Sequence, residues 1–103
     1  MEAVFRALAD ESRRALLDRL FERNGQTLGE LCEGLRMSRQ AVSKHLAILE
    51  SANLVSTRKT GRKKLHFLNP VPIHDIAQRW IGKFERARLD AVSELKARLE
   101  PKK

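Results

Sequence analysis

Residues Thr27 to Glu50 read TLGELCEGLRMSRQAVSKHLAILE, and this stretch decides the fold. Thr27 with Glu30 three residues on has the spacing of a capping box, in which each side chain takes up the other's backbone N–H at a helix start. Leu28, Leu31, Cys32 and Leu35 follow at helical spacing, and Gly34 to Met37 break the period. Ser38 is a residue type that caps helices, and Val42, Leu46 and Leu49 recur behind it on one face, with Ala41 and Ile48 alongside. The pattern predicts two helices of about nine and about thirteen residues joined by a tight turn. The second helix is split in character. Its apolar face packs on the first, while Ser38, Arg39, Gln40, Ser43 and Lys44 crowd its N-terminal end. Such an end suits a DNA major groove, where Arg and Lys reach guanine edges, Gln reaches adenine, and Ser reaches a base or a phosphate.

Outward from this stretch the chain is well punctuated. Upstream, Glu2 to Ala9 reads as a short helix with Val4, Phe5 and Leu8 on one stripe. Asp10 is a good N-cap for a second helix that runs to about Arg23, with Leu16, Leu17, Leu20 and Phe21 on its inner face. Asn24-Gly25 ends it. Downstream, Asn53 closes the fourth helix and the period changes from helical to alternating. Leu54 to Lys59 and Lys64 to Leu68 read as strands, with Val55 and Thr57 matched by Leu65 and Phe67 across the loop Thr60 to Lys63. Asn69-Pro70-Val71-Pro72 stops the hairpin, since proline cannot donate to a ladder. A last helix begins near Pro72 and runs to Glu100, before Pro101. The expected fold is mainly α with a small β-hairpin wing, in the order α-α-α-α-β-β-α. One domain, 1–103, holds a helix-turn-helix at 27–51 and a wing at 54–68.

Charge agrees with that layout. Lys and Arg number 21 against 13 Asp and Glu, for a net charge of +8. From Arg36 to Lys64 there are eight cations and one carboxylate, Glu50, so seven of those eight net charges lie there. A polyanion partner is implied, and Lys59, Arg62, Lys63 and Lys64 at the hairpin tip fit a wing that grips phosphates. A membrane-surface binder would instead spread its cations along one amphipathic helix. No apolar run approaches the roughly 20 residues of a membrane span. The single cysteine, Cys32, implies no internal disulfide and a reducing, cytoplasmic setting. No His, Cys and carboxylate set converges as an enzyme would need, so the chain reads as a binder and not a catalyst.

The last helix predicts a second copy of the chain. Ile73, Ile76, Ala77, Trp80, Ile81, Phe84, Ala91, Val92, Leu95 and Leu99 form an apolar stripe longer than a small helical core can cover. A two-fold partner can cover it, with Val4, Phe5 and Leu8 contributing. The dimerisation elements are therefore helices 2–9 and 72–100.

Several segments together resemble the ArsR/SmtB family of bacterial repressors. They are Phe5 to Leu17 (FRALADESRRALL), Leu28 to Cys32 (LGELC), Met37 to Leu46 (MSRQAVSKHL) and Leu49 to Val55 (LESANLV). The resemblance covers almost the whole chain. It implies a winged helix-turn-helix repressor, a homodimer whose first and last helices form the interface, bound to double-stranded DNA. By position it places Arg39, Gln40, Ser43 and Lys44 on base edges, and Ser38 and the wing on the backbone. The chain departs from the family's metal sensors. A cysteine pair in the third helix would need a second thiol where Gly34 stands, and one thiolate cannot make a soft-metal site. The last helix holds His74 beside Asp75 with no second His. No metal or other cofactor is expected, and no inducer can be named. Cys32 reads as a buried small apolar side chain. His45 is open between DNA contact and a structural hydrogen bond, and His66 and His74 read as solvent-facing.

Overall fold

The computed structural model describes residues 1–99. Its elements are α1 (Glu2–Leu8), α2 (Glu11–Glu22), α3 (Leu28–Cys32), α4 (Arg39–Ser51), β1 (Val55–Thr60), β2 (Lys63–Leu68) and α5 (Val71–Leu99). This is the order the sequence predicts. Helices α2, α3 and α4 start where a polar side chain takes up an orphan N–H group. The Asp10 carboxylate accepts from the Arg13 N–H at 3.1 Å, and Ser38 Oγ accepts from the Ala41 N–H at 3.1 Å. At α3 the capping box is complete, with Glu30 N–H donating to Thr27 Oγ1 at 3.2 Å and Thr27 N–H to Glu30 Oε1 at 3.1 Å. Beyond α4, Asn53 sits at φ +63°, a left-handed turn that asparagine tolerates.

Met1–Pro72 form one compact unit, and the residues from Ile73 onward form a second. The first unit is built around Leu16 and Leu20 of α2, Leu31 of α3, and Val42 and Leu49 of α4, together with Leu54, all fully buried. Each such side chain contributes on the order of 1.5–3 kcal/mol of burial. Val4 and Ala7 of α1 belong to the same core. Val4 thus spends its surface inside its own unit, while Phe5 is exposed and Leu8 half-buried. The i,i+3 pair Val4 and Ala7 is the inner stripe of α1, not the Val4–Phe5–Leu8 stripe expected.

Other expectations shift as well. Phe21 is 80% exposed, because Leu16, Leu17 and Leu20 fill the inner face of α2 and Phe21 falls past its edge. Ile48 is likewise exposed. α3 has five residues, not nine: Glu33 turns extended and Gly34 takes φ +75°. Cys32 then lies at a helix end, half-buried instead of buried. The third helix's terminal carbonyls are taken up by Arg19, whose Nη1 donates to Leu31 O at 3.0 Å.

The hairpin is tighter than expected, turning on Gly61 and Arg62 alone, with Gly61 at φ +63°. Val55 pairs with Leu68 and Thr57 with His66, so β2 is out of phase with the Leu65 and Phe67 match expected. His66 is therefore the inward residue, buried and not solvent-facing. It makes a bridge with Gln26, each N–H donating to the other's carbonyl at 2.8 and 3.1 Å. This bridge ties the hairpin to the loop before α3. Gln26, also buried, caps α2 by donating to Arg19 O and Arg23 O at 3.0 and 2.6 Å.

The second unit is essentially α5, whose 29 residues span about 43 Å at 1.5 Å per residue. None of its described residues is buried, and Trp80, Ile81, Phe84, Val92 and Leu95 are exposed. The expected helix end at Glu100 and Pro101 lies outside the described residues. No helix of the described residues is long and apolar enough to cross a membrane.

Candidate nucleic-acid interface

Ser38, Arg39, Gln40, Ser43 and Lys44 are all exposed on the first turns of α4, while Val42, Leu46 and Leu49 of the same helix are buried. Burial on one side thus fixes which side faces out. The Ser38 hydroxyl accepts the cap bond, and its O–H remains able to donate to an anion.

Lys59, Arg62, Lys63 and Lys64 are exposed on the hairpin. The register sets Lys59 directly opposite Lys64, a like-charge pair that costs stability in a hairpin on its own. A polyanion bound there would offset that cost. Lys64 is partly neutralised, with its Nζ 3.6 Å from Glu50 Oε1. Arg58 lies over the Phe67 ring, 5.9 Å from its centroid.

An open cleft joins the two elements. It is lined by Thr27, Leu28 and Gly29 at the start of α3, by Arg39 of α4, and by Arg62, Lys63, Lys64 and His66 of the hairpin. Four of the expected site residues, Arg39, Arg62, Lys63 and Lys64, therefore meet around one opening. Ser38, Gln40, Ser43, Lys44 and Lys59 are exposed but do not line it. In the first turn of α3, Glu30 is held below the usual carboxylate range, mainly by the Thr27 N–H and hydroxyl and further by Arg23 and Lys63. Among the described residues no group of three His, Cys, Asp or Glu could hold a metal ion.

Comparison with known proteins agrees with this architecture. A helix-turn-helix domain family matches residues 8–58. The chain is 40% identical over 86 residues to the uncharacterised HTH-type transcriptional regulator YuzN of Bacillus subtilis, covering 78% of this chain and 94% of that one. It is 33% identical over 75 residues to the transcriptional repressor SdpR of the same organism, covering 73% and 82%. The solved ArsR-like transcriptional regulator from Rhodococcus sp. RHA1 superposes with a TM-score of 0.74 at 32% identity, covering 96% of this chain and 92% of that one. The chain belongs to the ArsR/SmtB-type winged helix-turn-helix regulators.

In this regulator two groups of residues escaped the sequence reading. Thr27, Leu28 and Gly29 line the cleft because the α3 cap is drawn toward the hairpin by the Gln26–His66 bridge, a pairing across 40 residues. Arg13 of α2 meets His45 of α4, its Nη1 lying 3.3 Å from His45 Nδ1. Of the two readings open for His45, this contact supports the structural hydrogen bond. No local spacing signals a contact between residues 32 apart.

Proposed function

We propose that this DNA-binding regulator is a repressor, a homodimer that reads a pseudo-palindromic site on double-stranded DNA and carries out no catalytic step. The observation that carries this reading is the cleft where Arg39 of α4 meets Arg62, Lys63 and Lys64 of the hairpin, beside an exposed polar helix face. Arg39, Gln40, Ser43 and Lys44 read base edges in a major groove. Ser38, Lys59, Arg62, Lys63 and Lys64 hold phosphates beside it. The name of SdpR, a repressor, supports the sign of regulation.

The dimer rests on α5. Burying its exposed Trp80, Ile81, Phe84, Val92 and Leu95 against a second copy gains on the order of 1.5–3 kcal/mol for each side chain. Phe5 and Leu8 of α1 offer further apolar surface, whereas Val4 is used in the core. Two-fold symmetry also serves reading, since half-sites repeat about 34 Å apart.

Selection of binding sites from random duplex, followed by sedimentation of the complex, tests this directly. The expected result is an inverted repeat bound by two chains. Recovery of no enriched sequence, or a wild-type chain that sediments as a monomer on its selected site, would overturn it. Replacing Trp80 and Phe84 together by polar residues should give monomers with most of the site affinity lost.

A further inference from the structure

Arg13 is the most heavily committed side chain in the first unit, with 14% of its side chain exposed. Its Nε donates to Ala7 O at 2.8 Å and its Nη2 to Arg6 O at 2.9 Å, while Nη1 lies 3.3 Å from His45 Nδ1 and 3.9 Å from Asp10 Oδ2. Arg14 adds a bond from Nη1 to Leu8 O at 2.7 Å. The last carbonyls of α1 are thus capped by two arginines of α2. A helix of seven residues is too short to hold itself in water. One guanidinium therefore joins three elements: α1, the start of α2, and the recognition helix α4.

We propose that Arg13 is a positioning residue for base reading, which through His45 fixes the rotation of α4 about its own axis against α1. The inference rests on the assignment of α4 as the reading helix. The contact of Val42, Leu46 and Leu49 with the core is apolar and non-directional, so it resists withdrawal of α4 better than it resists rotation. The bond to His45 is directional. It stands beside Lys44 and two residues from Ser43, in the middle of the reading face's own turns. Base-edge hydrogen bonds demand this angular accuracy. Phosphate contacts made by long lysines do not.

The chemistry also fixes a proton. A guanidinium has donors only, so His45 Nδ1 must present its lone pair and the ring hydrogen sits on Nε2. His66 is the opposite case, because a carbonyl only accepts and Nδ1–H donates to Gln26 O at 2.9 Å. The two histidines are therefore expected to show opposite tautomers, and His66 serves as an internal control.

The test uses the full chain, a labelled duplex taken from site selection, and a scrambled duplex of equal length. Arg13→Ala and His45→Ala should each reduce the preference for the selected duplex by about tenfold, and the double variant should lose no more than either alone. His45→Gln, whose side-chain oxygen can accept from Arg13, should restore the preference. Arg13→Lys should not, since an ammonium lacks the planar fork. The salt dependence of binding should stay unchanged throughout. Nitrogen-15 spectra should place the His45 hydrogen on Nε2 in wild type, and Arg13→Ala should remove that constraint. Should Arg13 variants fail to fold, His45→Ala and His45→Gln leave the α1 caps intact and carry the test. Additive losses would mean that His45 touches DNA on its own account, and a His45 hydrogen on Nδ1 would contradict the contact; either overturns the proposal. A wild type that does not discriminate between the duplexes removes the reading of α4 itself, and this inference with it.

Discussion

The charge pattern of the wing gives a quantitative prediction. Arg62 sits at the hairpin tip, and none of the ion pairs among the described residues includes it. Lys64 shares its charge with Glu50 at 3.6 Å. These two cations should therefore contribute differently to binding. Each phosphate neutralised adds about 0.9 to the slope of log affinity against log salt. In the proposed dimer Arg62→Ala removes one phosphate contact per subunit, so the slope should fall by about 1.8. Over a roughly fourfold salt step, from about 50 to about 200 mM, the variant should then lose about tenfold less affinity than wild type. Lys64→Ala should change the slope by less. Glu50→Gln should steepen it, because Lys64 becomes fully available to phosphate. Fluorescence anisotropy of a labelled duplex across a salt series measures all four chains. If Arg62→Ala leaves the slope where wild type has it, the wing does not hold phosphate. If Lys64→Ala and Arg62→Ala are equal and Glu50→Gln is silent, the Glu50 pair has no electrostatic effect on binding.

Three further outcomes are expected. Arg39→Ala or Gln40→Ala should cost about 1–3 kcal/mol on the best site and relax base preference, while Lys63→Ala should weaken all duplexes alike; competition with point-mutated sites separates the two. Zinc, cadmium or arsenite should leave DNA affinity unchanged, because Gly34 stands where a second thiol would be needed, and stoichiometric metal uptake coupled to DNA release would contradict this. Acid should loosen the helix starts. Asp10 is held below the usual carboxylate range chiefly by the Arg13 N–H, with the Arg13 charge adding, and Glu30 chiefly by the Thr27 N–H and hydroxyl. A depressed folded value means stability that is present above the ordinary carboxylate range and is lost as pH falls through the folded one. Thermal melts followed by circular dichroism should therefore drop at acid pH, and drop less in Asp10→Asn.

Local chemistry made most of the fold legible. Asp10, Thr27 with Glu30, and Ser38 each cap the helix predicted for them, and Asn53 ends α4 in the left-handed conformation that its residue type allows. These signals act within four residues, so a sequence displays them whole. Errors gathered where a period ran without an anchor. Phe21 continues an apolar pattern past the point where α2 still faces the core, and its 80% exposure shows that spacing alone does not say where a neighbour ends. Apolarity alone puts the inward face of the second strand one residue out of phase, because Leu65 and Phe67 are more apolar than His66. His66 nevertheless goes inward, since its backbone and ring both bond Gln26 and a satisfied imidazole can be buried.

The site was legible in its residues and not in its assembly. Every cation expected to meet DNA is exposed, and composition alone located the charge between Arg36 and Lys64. Which of them share one cleft depends on the Gln26–His66 bridge, which draws the start of α3 to the hairpin, and on the Arg13–His45 contact, which meets α4 from its other neighbours. Both are polar contacts between residues more than 30 positions apart, and both end on a histidine whose partner no local pattern announces. The division of labour follows from the physics of each force. Burial of leucines decides that α4 lies on the core and which side it shows, but a greasy face sets an angle only loosely. In the reading proposed above, the directional bond between Arg13 and His45 decides the angle. A reading helix needs both, and only the first is written in hydrophobic periodicity.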